Sequence, residues 1–320
     1  MIKALFHLCA LCALCGYLWV WYMKNIAIVG AASGWGAQDM GCADGPEALR
    51  AAGLAAFLQT RGQHAQWAET LHPAPGHDRL WLVTDLCARL AQRVAAVRAG
   101  GDFPLVVGGD HSCAVGTWSG VHLAARGPLG LIWIDAHMDS HTPQTSPSGA
   151  LHGMPLACLL GHGESSLTSL VGPGPVLLPQ HVCLIGVRSF EAGEATLLER
   201  MGVRIFSMAE VRQRGIDAVF RDALNIAQNG TAGFGVSIDL DALDPEEDPG
   251  VGTPAKDGMH GEGLAHALRQ LHGNPHLLAL EIAEYNPHRD RNSATARMAL
   301  RLAAAALTSG AETGKFGGPQ

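Results

Sequence analysis

Four short apolar runs in this 320-residue chain each end directly in acidic residues or histidine. Continuous apolar runs that alternate with helical stretches are typical of parallel strands buried on both faces of a sheet. The carboxyl ends of such strands form the edge of the sheet where ligands bind. We therefore expect one site at that edge, built from segments that begin at Asp110, Asp135, Asp239 and Glu284.

The same alternation runs through most of the chain. The runs typical of strands are Ile26–Val29, Leu80–Val83, Leu105–Val107, Leu129–Ile134, Val182–Val187, Phe234–Ile238 and Leu277–Ile282. The stretches with helical spacing are Pro46–Thr60, Thr84–Ala99, Glu191–Met201, Ile216–Gln228, Gly261–Leu271 and Ala294–Leu307. The pattern predicts an α/β fold with a parallel sheet covered on both faces. Because no linker divides the chain, we expect one domain over residues 24–320, ending in a glycine-rich tail.

The first 23 residues are set apart by composition. Residues 4–23 carry no charge and are long enough to span a bilayer as a helix. They fit a signal peptide, a membrane anchor, or the upstream translation of a gene whose product begins at Met23. We favour the start at Met23, because the first apolar strand follows it closely. We accordingly expect a cytoplasmic protein, with anchoring through residues 4–23 as the alternative.

Charge and cysteine content narrow the class of protein. The net charge is −7 and the chain has no run of Lys or Arg, which excludes a nucleic-acid-binding surface of the usual basic kind. Beyond the apolar segment, five cysteines are scattered singly along the chain. Such spacing is typical of buried free thiols in a reducing compartment.

The residues at the strand ends are those that bind metal ions. In Asp135-x-His137-x-Asp139 and in Asp239-x-Asp241, alternate residues of an extended chain point to one side. His111 adds a second imidazole. Four converging carboxylates would repel one another, and two divalent cations balance their charge. Carboxylate oxygen with some imidazole suits Mn²⁺ better than Zn²⁺, and two such ions generate hydroxide from water at neutral pH.

Three motifs carry a family resemblance. GGDHS (Gly108–Ser112), DAHMD (Asp135–Asp139) and SIDLDALDP (Ser237–Pro245) resemble the metal motifs of the arginase/agmatinase family, the ureohydrolases. The resemblance implies a three-layer α/β/α fold with a central, mostly parallel sheet. It also implies two Mn²⁺ per chain, hydrolysis of guanidino groups to urea, and assembly into homotrimers or homohexamers.

The resemblance also assigns roles to residues. One ion would be held by His111, Asp135, Asp139 and Asp239, and the other by Asp135, His137, Asp239 and Asp241, so that Asp135 and Asp239 bridge. Asp139, His152 and Glu284 would act in catalysis. His152 would pass a proton to the leaving amine, and Glu284 would pair with the substrate guanidinium.

The loop Ser146–Pro155 and the segment around Glu191 resemble the arginase branch of the family. Ser146, Ser148, His141 and Glu191 would contact the amino-acid end of the substrate, with Glu191 facing the α-amino group. Arginases typically carry asparagine where this chain has His141 and Ala150, so it lacks two amides that help to recognise the α-carboxylate. A protonated His141 could donate to the carboxylate in place of one.

The resemblance to the arginase branch implies hydrolysis of L-arginine to L-ornithine and urea by metal-bound hydroxide. The alternative is a ureohydrolase for another guanidino or formimino compound, such as agmatine or a guanidino acid. A non-catalytic member of the fold is disfavoured, because no ligand or catalytic position of the motifs is missing.

Overall fold

The structure is a computed structural model that describes residues 25–76 and 78–309. The apolar segment 1–23, with its interpretations as late start, anchor or signal, and the tail after residue 309 lie outside the described residues. Within those residues, no helix has both the length and the apolar character needed to cross a membrane.

Eight strands form one sheet that is parallel throughout. In chain order they are β1 (Ile26–Ala31), β2 (Ala65–Leu71), β3 (Phe103–Gly108), β4 (Leu129–Ile134), β5 (Val182–Val187), β6 (Arg204–Ser207), β7 (Gly233–Asp239) and β8 (Leu277–Ala283). Their order across the sheet is β2-β1-β3-β8-β7-β4-β5-β6. The four strands whose ends carry the polar motifs are therefore the adjacent, central strands β3, β8, β7 and β4.

The described chain forms eleven α-helices, most of which cover the two faces of the sheet. They are α1 (Gly45–Ala51), α2 (Leu54–Gln59), α3 (Arg79–Ala99), α4 (Ala114–Ala124), α5 (Pro155–Leu159), α6 (Ser165–Thr168), α7 (Ala192–Met201), α8 (Met208–Arg214), α9 (Ile216–Gln228), α10 (Gly261–Leu268) and α11 (Ala294–Leu307). One core cluster joins the sheet to α1, α2 and α8–α11, and another joins it to α3, α4, α5 and α7. The α/β/α layering with a parallel sheet is confirmed.

One predicted strand is wrong. Leu80–Val83 lies in the first turns of α3, where the side chain of Asp78 caps the helix by accepting from the backbone N–H of Trp81. Buried residues then recur with helical spacing along α3. The aspartate before an apolar run was the helix-start signal.

The sequence pattern also missed β2, β6 and α4. β2 and β6 are the edge strands, and they are largely half-buried or exposed, so they lack a continuous apolar run. Helix α4 has almost no polar face, because eight of its residues are buried. Gly116 and Gly120 let it approach the backbone of α3, where a Cβ would overlap carbonyl oxygens. Amphipathic periodicity cannot identify such a helix.

Close contact between α9 and β4 depends on Gly130. A Cβ at this position would overlap the backbone carbonyl oxygen of Ala227 in α9. We expect Gly130→Ala to lower the free energy of unfolding by about 3 kcal/mol, because helix and strand must move apart. Gly100→Ala is the control, since its Cβ would meet nothing closer than 3.4 Å. Urea unfolding measures both, and equal stability of the two variants would contradict this account of the packing.

Candidate functional site

His111 is at the centre of the first group of candidate metal ligands. Its Nδ1 lies 3.3 Å from Asp135 Oδ2, 3.1 Å from Asp139 Oδ2 and 3.0 Å from Asp239 Oδ2. All four side chains are buried at the carboxyl ends of β3, β4 and β7. One ligand atom from each lies within 4.8 Å of the others, a spacing suited to one metal ion.

A second group shares Asp135 with the first. His137 Nδ1 lies 3.5 Å from Asp135 Oδ1 and 3.0 Å from Asp241 Oδ2. The two oxygens of Asp135 thus face different imidazoles, an arrangement that suits a carboxylate bridging two ions. Asp239 has metal-ligand spacing only within the first group, and its Oδ1 accepts the backbone N–H of Asp241. Its bridging role stays a prediction.

The donor set fits divalent cations. Nδ1 of His111 is buried, yet it makes no hydrogen bond with any described residue. A buried lone pair aimed among three carboxylates is the arrangement of a metal ligand. Burial and the charge of Asp135 raise the pKa of Asp139 to about 7. Burial and repulsion from Asp241 also raise the pKa of Asp239. Bound cations would relieve this repulsion.

Two further side chains contact the candidate metal ligands and hold them in position. The indole of Trp133 stacks on the His111 ring, with centroids 4.2 Å apart, and its Nε1 donates to Asp135 Oδ2 at 2.8 Å. Ser237 Oγ lies 2.9 Å from His111 Nε2. The sequence reasoning missed both residues. The signal was position, because each lies two residues before a ligand aspartate and thus on the same face of its strand.

Glu284 and His152 form a pair beside the ligand groups. His152 Nδ1 lies 3.0 Å from Glu284 Oε1, which also accepts the backbone N–H of His111 at 2.9 Å. Cys42 Sγ lies 3.2 Å from Glu284 Oε2. Although burial acts to lower it, Glu284 raises the pKa of His152 to about 9. His152 in turn lowers the pKa of Glu284 against the effect of burial.

The backbone at two of these residues is strained. Asp139 and Glu284 have φ values of 47° and 64°, in the left-handed region that non-glycine residues rarely adopt. The backbone N–H of Glu284 donates to the carbonyl of Gly109, which holds the chain end of β8 against that of β3. Strain of this kind clusters at functional sites.

His141 contacts acidic residues at the far end of the site. Its Nε2 lies 2.9 Å from Glu191 Oε2 and 3.3 Å from Glu194 Oε2, and its Nδ1 lies 3.2 Å from Thr145 Oγ1. Glu191 also caps helix α7 together with Glu194. Both ring nitrogens of His141 thus already have partners, and its role as a donor to a substrate carboxylate stays a prediction.

One cavity of about 250 Å³ extends from the candidate metal ligands to the acidic residues around His141. Its lining includes ligand residues, His152, and the loop residues Ser146, Ser148 and Ala150. The hydroxyls of Ser146 and Ser148 accept from the backbone N–H groups of Gly149 and Ala150, and their protons remain available for a ligand. No lysine or arginine of residues 25–76 and 78–309 lines the cavity. The arrangement favours a cationic ligand.

Known proteins resemble this chain over nearly its whole described length. A profile of the Arginase family matches residues 24–308. The arginases of Bacillus caldovelox and Brevibacillus brevis are 39% and 38% identical to it, covering 88% and 87% of this chain and 97% and 96% of their own. The crystal structure of the Bacillus subtilis arginase superposes with a TM-score of 0.84 at 35% identity, covering 88% of this chain and 98% of that one. The chain therefore belongs to the arginase family and is an arginase-type ureohydrolase, a hydrolase that acts on amidines.

Proposed function

We propose that this protein hydrolyses the guanidino group of L-arginine to give L-ornithine and urea, with two Mn²⁺ per chain. The observation that carries the proposal is the convergence of two candidate ligand groups, joined by Asp135, at a cavity lined by His152, which is paired with the buried Glu284. Assembly into homotrimers or homohexamers belongs to the same proposal.

Six residues would hold the two ions. His111, Asp135, Asp139 and Asp239 would bind one, and Asp135, His137, Asp239 and Asp241 the other. Oxygen donors with two imidazoles and no thiolate suit Mn²⁺. When bound, the two ions lower the pKa of water and so supply a nucleophile near neutral pH.

Glu284 and His152 would act on the substrate. Glu284 is an ionised, buried acceptor, and its charge matches one guanidinium, whose N–H groups it would orient. Since Glu284 accepts at His152 Nδ1, a protonated imidazole keeps its second proton at Nε2. That proton would pass to the amine as the C–N bond breaks.

The end of the cavity around His141 and Ala150 is also compatible with a second class of substrate. Glu191 and Glu194 suit the α-ammonium of L-arginine, and the identity to arginases favours that substrate. Against it, Ala150 presents only a methyl group and His141 is engaged with Glu191. These two features favour the alternative, a guanidino compound without an α-carboxylate, such as agmatine.

Metal content tests the ligand assignment. Manganese-loaded protein should contain about two equivalents of metal by elemental analysis. Asp135→Asn should weaken both sites, because its two oxygens face both imidazoles, whereas His137→Ala should leave about one equivalent. His288→Ala, at an exposed histidine paired with Asp44, is the control and should keep both ions. A wild-type content near zero, or one zinc alone, would overturn the proposal.

The pH profile tests the proton donor. His152, whose pKa is about 9, stays protonated while the attacking water loses its proton more readily, so the rate should rise from about pH 7 towards pH 9. His152→Asn should lower kcat by about 100-fold and leave the metal content unchanged. His276→Asn, at an exposed position, is the control. A maximum at about pH 5, or a parallel loss of kcat and metal content, is incompatible with this role.

Substrate preference tests the far end. Agmatine lacks only the carboxylate of L-arginine, so the ratio of their kcat/KM values reports recognition of that group. Ala150→Asn should raise the ratio in favour of L-arginine by about tenfold or more, because it restores a donor to a charged acceptor. Ala52→Asn, on an exposed helix end, is the control. If wild-type protein clearly prefers agmatine, L-arginine is the wrong substrate. An unchanged ratio in Ala150→Asn means that position 150 does not contact the carboxylate.

A further inference from the structure

A buried carboxylate behind the ligand groups has no role in the proposed reaction. Glu281 is the one charged residue of β8, in the apolar run LLALEIA, and its side chain is buried. It pairs in register with Ser237 of the neighbouring strand β7. Burial of a carboxylate is unfavourable unless hydrogen bonds compensate for the lost hydration. The hydrogen bonds made by Glu281 therefore indicate why it is tolerated there.

Neutral donors surround this carboxylate. Its Oε2 accepts from Ser237 Oγ at 2.6 Å and from Trp118 Nε1 at 3.0 Å. Its Oε1 accepts from Thr117 Oγ1 at 2.5 Å, with Cys113 Sγ at 3.6 Å. An indole N–H can only donate, so Glu281 Oε2 is an acceptor for Trp118, and Ser237 Oγ donates to the same oxygen. The hydroxyl proton of Ser237 is therefore directed to Glu281.

The direction of that proton determines whether Ser237 Oγ donates to His111 or accepts from it. Ser237 Oγ also lies 2.9 Å from His111 Nε2. Because its proton is used on Glu281, its free lone pair accepts from Nε2–H of the imidazole. A neutral imidazole carries one proton, so Nδ1 is then unprotonated. Nδ1 is the atom that lies among Asp135, Asp139 and Asp239.

We propose that Glu281 is a positioning residue of the metal centre, which fixes the tautomer of His111 through Ser237 so that Nδ1 presents a lone pair to a metal ion. The proposal rests on the assignment of His111 as a ligand of the first ion. It concerns that ion alone, because neither Glu281 nor Ser237 contacts His137 among the described residues.

Site-resolved Mn²⁺ binding tests the proposal without an activity assay. Titration of the full-length apoprotein, followed by the electron paramagnetic resonance signal of free Mn²⁺, gives a Kd for each site. Glu281→Leu removes the acceptor and should raise the Kd of the His111 site by about 10- to 100-fold, leaving the other site unchanged. Glu281→Gln should stay close to wild type, because its amide oxygen can accept from Ser237 and Trp118 while its NH₂ faces Thr117. Thr117→Val is the matched control, since of the two Glu281 oxygens Thr117 contacts only Oε1, whereas Ser237 contacts Oε2.

A double-mutant cycle separates positioning from general support of the fold. Ser237→Ala should weaken the same site, and adding Glu281→Leu to it should weaken binding by less than about threefold more. Additive effects, equal weakening of both sites, or loss of binding in Thr117→Val would overturn the proposal. If Glu281→Leu does not fold, Glu281→Gln and Ser237→Ala carry the same test, and a Glu281→Gln that loses the His111 site overturns it. Wild-type protein that binds no Mn²⁺ overturns the proposed function as well, whereas two intact sites in Glu281→Leu overturn this inference alone.

Discussion

The buried carboxylates of Asp135, Asp139, Asp239 and Asp241 repel one another, so the surrounding structure must hold them together and leave room for balancing positive charge. The parallel sheet brings them together, since β4 and β7 are neighbours and end at the same edge. Burial and mutual repulsion raise the pKa of three of the four groups. Asp135 is the carboxylate shared by both ligand groups, because its two oxygens face His111 Nδ1 and His137 Nδ1.

Rigid support of the ligands follows from the alternation of side chains along each strand. Trp133 and Ser237 each lie two residues before a ligand aspartate, and so face the same side of the sheet as that ligand. Glu281 supports Ser237 from the next strand. Gly235 lies on the same face of β7, and a Cβ there would overlap the ring of Trp118. The candidate metal centre and the core beneath it therefore form one continuous packing arrangement.

The sequence predicted the central strands and the residues that cluster at their ends, because both depend on local patterns. An apolar run that ends in an acid identifies a buried strand and the functional edge together. The edge strands β2 and β6 could not be recognised, since their exposed sides break the apolar pattern. The start of α3 could have been recognised from Asp78, but a short apolar run also fits a strand.

Contacts between distant segments were beyond prediction from local patterns. In the sequence, Glu281 is a single polar residue within an apolar strand. Its contact with Ser237 becomes visible only from the register of β7 and β8. The engagement of His141 by Glu191 likewise joins residues 50 positions apart. Because of this contact, the far end of the cavity has more acidic side chains than hydrogen-bond donors. Substrate preference therefore depends on contacts between distant segments, which local sequence patterns do not predict.

We propose that two metal ions share Asp135, and an anomalous difference map from crystals of the manganese-loaded protein would locate them. We expect two peaks about 3.5 Å apart, one beside His111 Nδ1 and one beside His137 Nδ1, with Asp135 in contact with both. A single peak would contradict this assignment, as would a peak at His141, Glu191 and Glu194 with none beside His111.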